Sequence, residues 1–254
     1  MRAFNGKALF AALLLVLLAG ALLQPQLRSS AAFLWSKLRG GYSVAERVEQ
    51  FGPAVAQRLE QDVLRAGLSY PPRQLAYVAF KDSRQLEVHA RDTSEQPWRL
   101  LRRYPILGAS GTAGPKLAEG DLQVPEGIYR AEFLNANSRF HLSIRLDYPN
   151  AFDRRMAARD GREQLGGDIM IHGSSVSIGC LAMGDEAAED LFVLAALSDT
   201  ERLRIVISPT DLRQTPAPAT VAPAWLGELY QAIGDELQQY PSAAEAQPAP
   251  RNPA

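Results

Sequence analysis

Between the break at Tyr70-Pro71-Pro72 and Pro209, the chain is a succession of short apolar runs cut by polar or glycine-bearing turns, and this rhythm restricts the fold more than any other feature. Two adjacent prolines cannot continue a helix, and the runs that follow have the length and alternation of strands. Residues 75–80 and 86–90, joined by the polar Lys81-Asp82-Ser83-Arg84, read as a hairpin. Further strands are expected over 98–107, 127–133, 139–146, 168–172 and 203–207. The fold class that follows is mainly β with flanking helices, an α+β arrangement.

Helical signals lie at the two ends. Ser43-Val44-Ala45-Glu46 has the form of a capping box, in which the serine hydroxyl accepts from the third helical N–H and the glutamate reaches back. Gly52-Pro53 is expected to interrupt the helix that follows. A second helix is expected over 54–66, with Val55, Leu59, Val63 and Leu64 on one face and Gly67 as its stop. Beyond Pro209, Pro216-Ala217-Pro218-Ala219-Thr220 reads as a linker. Trp225, Leu226, Leu229, Tyr230, Ile233 and Leu237 then recur at helical spacing, as in a helix that docks on the core, and the Pro/Ala-rich tail from Pro241 reads as disordered.

The first residues have a different character. Arg2 and Lys7 precede the uncharged, almost wholly apolar stretch 8–23, the pattern of an export signal. As a helix this stretch spans about 24 Å, short of the ~30 Å hydrocarbon core of a bilayer. No Ala-x-Ala site follows Leu23, which tips the reading toward a retained anchor over a cleaved signal. The chain therefore divides into a signal peptide or membrane anchor at 1–28, a helical segment at 41–70, a central domain at 75–208, and a linker, helix and tail at 216–254. The net charge is −1, from 27 basic and 28 acidic residues, so nothing points to a nucleic acid.

Cys180 is the only cysteine, and it closes the run Ile169-Met170-Ile171-His172-Gly173-Ser174-Ser175-Val176-Ser177-Ile178-Gly179-Cys180. A lone cysteine is most often a buried small hydrophobe. In an exported chain, however, it cannot form an internal disulfide, and a thiol kept free there suggests use. A thiol reacts as thiolate and needs a base, and His172 stands close enough in sequence to be one. An activated thiol of this kind would alkylate well below pH 8. Gly179 allows close backbone approach to a reacting carbonyl, with the amides around Gly179 and Cys180 aimed at the developing oxyanion. One cysteine and three scattered histidines lack any zinc spacing, so neither metal nor cofactor is expected. The glycine-rich run 108–116 lacks the Gly-Lys-Ser/Thr ending of a phosphate loop and reads as a loop beside a cleft.

His172-Gly173 followed by Ser177-x-Gly179-Cys180-Leu181 resembles the catalytic motif of the L,D-transpeptidase (YkuD-type) domain. The resemblance extends upstream through Gly108, Gly114, Lys116, Glu119-Gly120-Asp121 and Pro125-Glu126-Gly127-x-Tyr129. Phe140-His141-Leu142-Ser143 and Tyr148-Pro149-Asn150 are similar to the branch of murein L,D-transpeptidase homologues that includes lipoprotein-releasing hydrolases. It implies a β-sandwich and a periplasmic enzyme of wall biogenesis and cell shape. That enzyme acts on peptidoglycan stem peptides through a Cys180 thioester, with His172 as base and a backbone carbonyl, Gly173 or Ser174, orienting it. The acceptor is an amine, giving cross-linking or lipoprotein attachment, or water, giving hydrolysis. An inactive peptidoglycan-binding module is a third possibility. The chain departs from the family at Ile178, where many members carry a second histidine, and in the short span from His172 to Cys180.

Alternation sorts the remaining candidates. Within 140–146 the even-numbered residues are apolar and share one face, which leaves His141, Ser143 and Arg145 on the other. Within 168–172 the isoleucines point inward, and His172 lies on the side of Asp168 and Met170. Gly173, Ser177 and Gly179 are the orienting and oxyanion candidates, and His141, Arg145 and Lys116 the substrate-cleft candidates. For His141 sheet packing is the alternative. The charged segment 153–162 is either a solvated helix or a flap whose arginines meet stem carboxylates, and Asp185 is placed to cap a helix over 186–197.

Overall fold

The computed structural model describes residues 40–218 and 223–242. The leader at 1–28 lies outside them, as do residues 219–222 of the linker and nearly all of the tail. Among the described residues no helix is long and apolar enough to cross a membrane.

Eight strands form the β layer: β1 (Gln74–Phe80), β2 (Gln85–Arg91), β3 (Arg99–Pro105), β4 (Gly127–Ser138), β5 (His141–Leu146), β6 (Met170–His172), β7 (Leu181–Ala182) and β8 (Arg204–Ser208). Their order across the sheet is β3-β2-β1-β8-β4-β5-β6-β7. The hairpin of β1 and β2 has Phe80 opposite Gln85, and β8 inserts beside β1 in parallel. Strand β4 is long and bulged. Two register shifts against β5 let it belong to both halves of the sheet, since bulges bend a strand and sharpen its twist. The sheet curls until its last strand meets the continuation of its first. Leu107 and Gly108, just past β3, donate to the Ala182 carbonyl, and Ala182 N–H donates back to Gly108.

Curling brings both halves around one core. Tyr77, Leu86, Val88, Tyr129, Ile144, Leu146, Ile171, Leu181, Ile205 and Ile207 belong to a single buried cluster, so the mainly-β layer packs against itself as a sandwich would. Ile169 and Ile171 face inward as alternation predicts, as do Leu142, Ile144 and Leu146.

Helix α1 (Val44–Arg65) opens the described chain, with both arms of the Ser43/Glu46 capping box formed. The interruption expected at Gly52-Pro53 does not occur, and α1 runs through Pro53. A proline inside a helix costs ~3 kcal/mol in lost hydrogen bonding and sterics. The apolar stripe spans that point: Phe51 before it, and Val55, Leu59 and Val63 after it, all pack on the core. Helix α2 (Ala151–Asp160) is the charged segment 153–162. It is capped by Asn150 and Asp153, and it docks on the C-terminal helix α4 (Leu226–Leu237) through Arg155 and Arg159 to Glu228. Both arginines thus pair within the protein at its surface, as on a solvated helix. The six apolar residues singled out near α4 are all buried against a second cluster. Helix α3 (Asp185–Leu197) follows β7 and packs on α1 and β5. A 3₁₀ turn (Thr200–Arg202) leads from it into β8.

Candidate active site

The short strands β6 and β7 run parallel, with Ile171 beside Leu181 and His172 beside Ala182. Ile171 and Leu181 enter the core, so residues one step away on either strand project to the opposite face. On that face the sheet carries two rows. Ser143, His172 and Ala182 form one, set by their register across β5, β6 and β7. Arg145 pairs with Met170 in the next row, and continuing the parallel register by one residue puts Cys180 beside Met170. Cys180 and His172 are thus diagonal neighbours on one surface. At ideal strand spacings their Cα atoms lie about 8 Å apart, within reach of a thiol and an imidazole leaning toward each other.

His172 is held on two sides. Its Nδ1 lies 2.5 Å from the Gly173 carbonyl, and its ring lies over Phe140 with centroids 4.8 Å apart. A carbonyl only accepts, so Nδ1 carries the proton and Nε2 keeps a free lone pair, the tautomer a base requires. Of the two orienting carbonyls considered, it is therefore Gly173 that holds the ring. Gly173 is fixed by crowding: a Cβ there would lie 2.6 Å from Asp185 Oδ1, 2.7 Å from the Phe140 carbonyl and 2.9 Å from His141 Cβ. Asp185 is the first residue of α3 and not its cap. Gly184 takes the cap position, and the Asp185 carboxylate instead accepts from Ser174 N–H at 2.8 Å.

The thiol Sγ lies 3.5 Å from the Asp168 carbonyl oxygen. Asp168 is aimed there by a left-handed backbone (φ 56) and tied to Arg145 by an ion pair at 3.0 Å. Leu122, His141 and Ser174 are also non-glycine residues with positive φ beside this site. Such conformations cost of order 1–3 kcal/mol each and persist only where surrounding contacts impose them. Burial pushes the Cys180 thiol above its ordinary value, against a smaller downward pull from the Met170 backbone. The Asp168 charge adds to the rise and the Lys116 ammonium opposes it. Burial also lowers His172, only partly opposed by its bond to Gly173. Burial thus disfavours the charged form of both groups, the thiolate and the imidazolium.

Both backbone amides expected to face an oxyanion already have partners. Cys180 N–H donates to Ser177 Oγ at 2.9 Å, and the same hydroxyl donates to the Cys180 carbonyl at 2.7 Å. Gly179, buried and left-handed (φ 83), donates its N–H to Ser110 Oγ at 2.6 Å. Ser177 therefore acts as a clasp around the Cys180 backbone. Ser110 is a residue that pattern reading missed. Its only signal in the sequence is membership of the glycine-rich run, which does border the cleft. Gly108 in the same run sits so close to Ser175 that any Cβ would collide with its carbonyl.

The substrate-cleft candidates separate. Arg145 lies in the thiol's own row, between Glu132 (2.9 Å) and Asp168. Lys116 is buried and bonded to Asp121 at 2.6 Å and to the Ala118 carbonyl at 2.8 Å, near enough for its charge to act on the thiol. His141 turns toward the helices, with Nε2 3.0 Å from Glu189 Oε1 and its ring edge-on to Phe51. Its contacts are those of the packing alternative. Among the described residues no group of three or more His, Cys, Asp or Glu side chains is placed to hold a metal ion.

No family model matches the chain. Over 115 residues it is 39% identical to the Escherichia coli K12 protein named "Putative L,D-transpeptidase YafK", and equally so to its counterpart in strain O157:H7. The match covers 44% of this chain and 44% of the relative, so the chain spans under half the length of the curated relatives it matches. The resemblance to the L,D-transpeptidase family read from the motifs is borne out by that likeness. Among solved structures, the helical cell shape determining protein Pgp2 from Campylobacter jejuni is 21% identical, with a TM-score of 0.42 over 54% of this chain and 48% of its own. Bd1075 of Bdellovibrio bacteriovorus gives 18% and 0.40 over 67% and 56%. L,D-transpeptidase 1 of Mycobacterium tuberculosis gives 16% and 0.31 over 53% and 62%.

Proposed function

We propose that the protein is a cysteine-dependent acyl-transfer enzyme that acts on peptidoglycan stem peptides in the periplasm. The observation that carries this reading is the fixed tautomer of His172, whose free Nε2 shares a sheet face with the Cys180 thiol. As Sγ bonds to the carbonyl carbon of an L-configured centre in the stem, the thiol proton passes to Nε2 and the carbonyl electron pair moves onto oxygen. Collapse breaks the C–N bond, and His172 returns the proton to the departing amine. General acid–base assistance of this kind contributes about 10²–10⁴ in rate. The thioester then passes to an amine of another stem or an envelope lipoprotein.

Hydrolysis is the second reading, supported by the short span from His172 to Cys180. Its tip is exposed, with Ile178 78% and Val176 63% accessible, and an amine outcompetes water only where a formed site holds it. Incubation with tetrapeptide stems and excess D-amino acid separates the readings. Exchange product supports transfer, tripeptide supports hydrolysis, and the absence of both with an intact Cys180 refutes the enzyme assignment.

A further inference from the structure

An oxyanion needs hydrogen-bond donors, and the two amides nearest the thiol are engaged by hydroxyls. Ser177 Oγ spends its own proton on the Cys180 carbonyl. Ser110 differs. Its Oγ accepts from Gly179 N–H at 2.6 Å, and among the described residues its own O–H makes no bond to an acceptor. A hydroxyl that accepts a short amide hydrogen bond is polarised by it and becomes a better donor. Ser110 is half-buried and lies one hydrogen bond from the residue that precedes the nucleophile.

Its position is also fixed from outside the site. Gly108, two residues earlier, is bonded through both its N–H and its carbonyl to Ala182, two residues past Cys180. The segment 108–110 therefore brackets the nucleophile, bonded to Ala182 on one side of Cys180 and to Gly179 on the other.

We propose that Ser110 is a catalytic residue whose hydroxyl donates to the oxyanion formed on Cys180. The proposal rests on the acyl-transfer reading. When Sγ attacks, the carbonyl electron pair moves onto oxygen, and Ser110 O–H hydrogen-bonds that oxygen while still accepting from Gly179. Ser110 transfers no proton: the thiol proton goes to His172, and the Ser110 bond weakens again as the C=O re-forms and the leaving group departs. Removing one oxyanion donor characteristically lowers the rate about 10²–10³-fold.

The test compares two reactions of the same thiol. p-Nitrophenyl acetate acylates Cys180 through an oxyanion, whereas iodoacetamide alkylates it by displacement at a saturated carbon, with no oxyanion. Ser110→Ala is expected to slow the nitrophenolate burst about 10²-fold or more, with the alkylation rate within about twofold of wild type. Ser110→Thr, which keeps the hydroxyl, is expected to restore most of the burst. A burst unchanged in Ser110→Ala overturns the proposal. So does an equal fall in both reactions, which makes Ser110 a support for the loop alone. Should Ser110→Ala unfold, the thermal melt shows it, and Ser110→Gly, which also removes the hydroxyl and leaves Cys180 the only thiol, is compared with Ser110→Thr at the same two reactions. A wild-type protein whose Cys180 alkylates but gives no burst overturns the acyl-transfer reading itself, and this assignment with it.

Discussion

Replacing Gly173 by alanine strikes the base without touching it. The added methyl would lie 2.6 Å from Asp185 Oδ1, 2.7 Å from the Phe140 carbonyl oxygen and 2.9 Å from His141 Cβ. Two of these neighbours cannot step aside cheaply, because Phe140 contributes backbone and His141 follows it at a left-handed residue (φ 70). Asp185 can rotate only by giving up the bond from Ser174 N–H, and a hydrogen bond to a charged group contributes ~1.5–3 kcal/mol. Overpacking in such a spot costs about 1–3 kcal/mol by itself. Together they put the loss at about 4 kcal/mol, or a fall in Tm of roughly 8–16 °C for a domain of this size. Relief by shifting residue 173 carries its carbonyl off His172 Nδ1, so the tautomer is no longer fixed and the burst rate should fall ~10²-fold or more. Gly234→Ala is the matched control. It lies inside α4, nothing stands within 4 Å of its Cβ position, and alanine there should raise stability by ~0.5–1 kcal/mol. Melts and burst kinetics on the two variants check the argument. Wild-type Tm and rate in Gly173→Ala would refute it.

Cys180→Ala should abolish both acylation and alkylation, and turnover of stem peptides by that variant would remove the thiol from the chemistry. His172→Ala should lower the burst rate at least ~10²-fold. Because His172 is only 2% exposed and packs on Phe140, a fall in Tm should accompany it, measurable in the same melt. With burial raising the thiol above its ordinary value, iodoacetamide alkylation should keep climbing on the alkaline side, and a plateau near neutral pH would show a preformed ion pair instead. With burial lowering His172 from its ordinary value, its neutral, base-competent form persists to lower pH, so the acid limb of acylation should lie below that of an exposed imidazole. Asp153 is pushed up to about 6 by burial, so the folded chain holds its proton more tightly than the unfolded chain does. The group therefore favours folding more as pH falls through 6 toward 4, and Asp153→Asn should flatten that part of the Tm-versus-pH curve.

Legibility followed the range of the interactions. The hairpin of β1 and β2, the Ser43/Glu46 cap and the apolar stripe of α4 were readable because each is decided by residues within a turn or two of one another. Alternation likewise put Ile169, Ile171, Leu142 and Ile144 in the core and His172 on the opposite face of the sheet, where it is nonetheless covered. Pro53 misled because the local cost of a proline was weighed without the packing of Phe51 and Val55 on either side of it, which only the assembled core supplies. Asp185 looked like a cap because its spacing is right. The choice between capping its own helix and binding Ser174 N–H depends on where a loop eleven residues away returns.

The two serines show the same limit in a sharper form. Ser177 closes its clasp over three residues, and a hydroxyl at that spacing marks it in the sequence. Ser110 reaches Gly179 across 69 residues, and nothing in the run 108–116 announces which of its atoms will meet that amide. What brings them together is the closure of the sheet. Strand β7 has only two residues, too few to hold its own place, and it is fixed by β6 on one side and by the Gly108 bridge on the other. Loosening that bridge would move the thiol relative to Ser110 while leaving the distant core intact. The placement of Cys180 therefore depends on a glycine that carries no functional group, because only a residue without a Cβ can pass the Ser175 carbonyl and complete the closure.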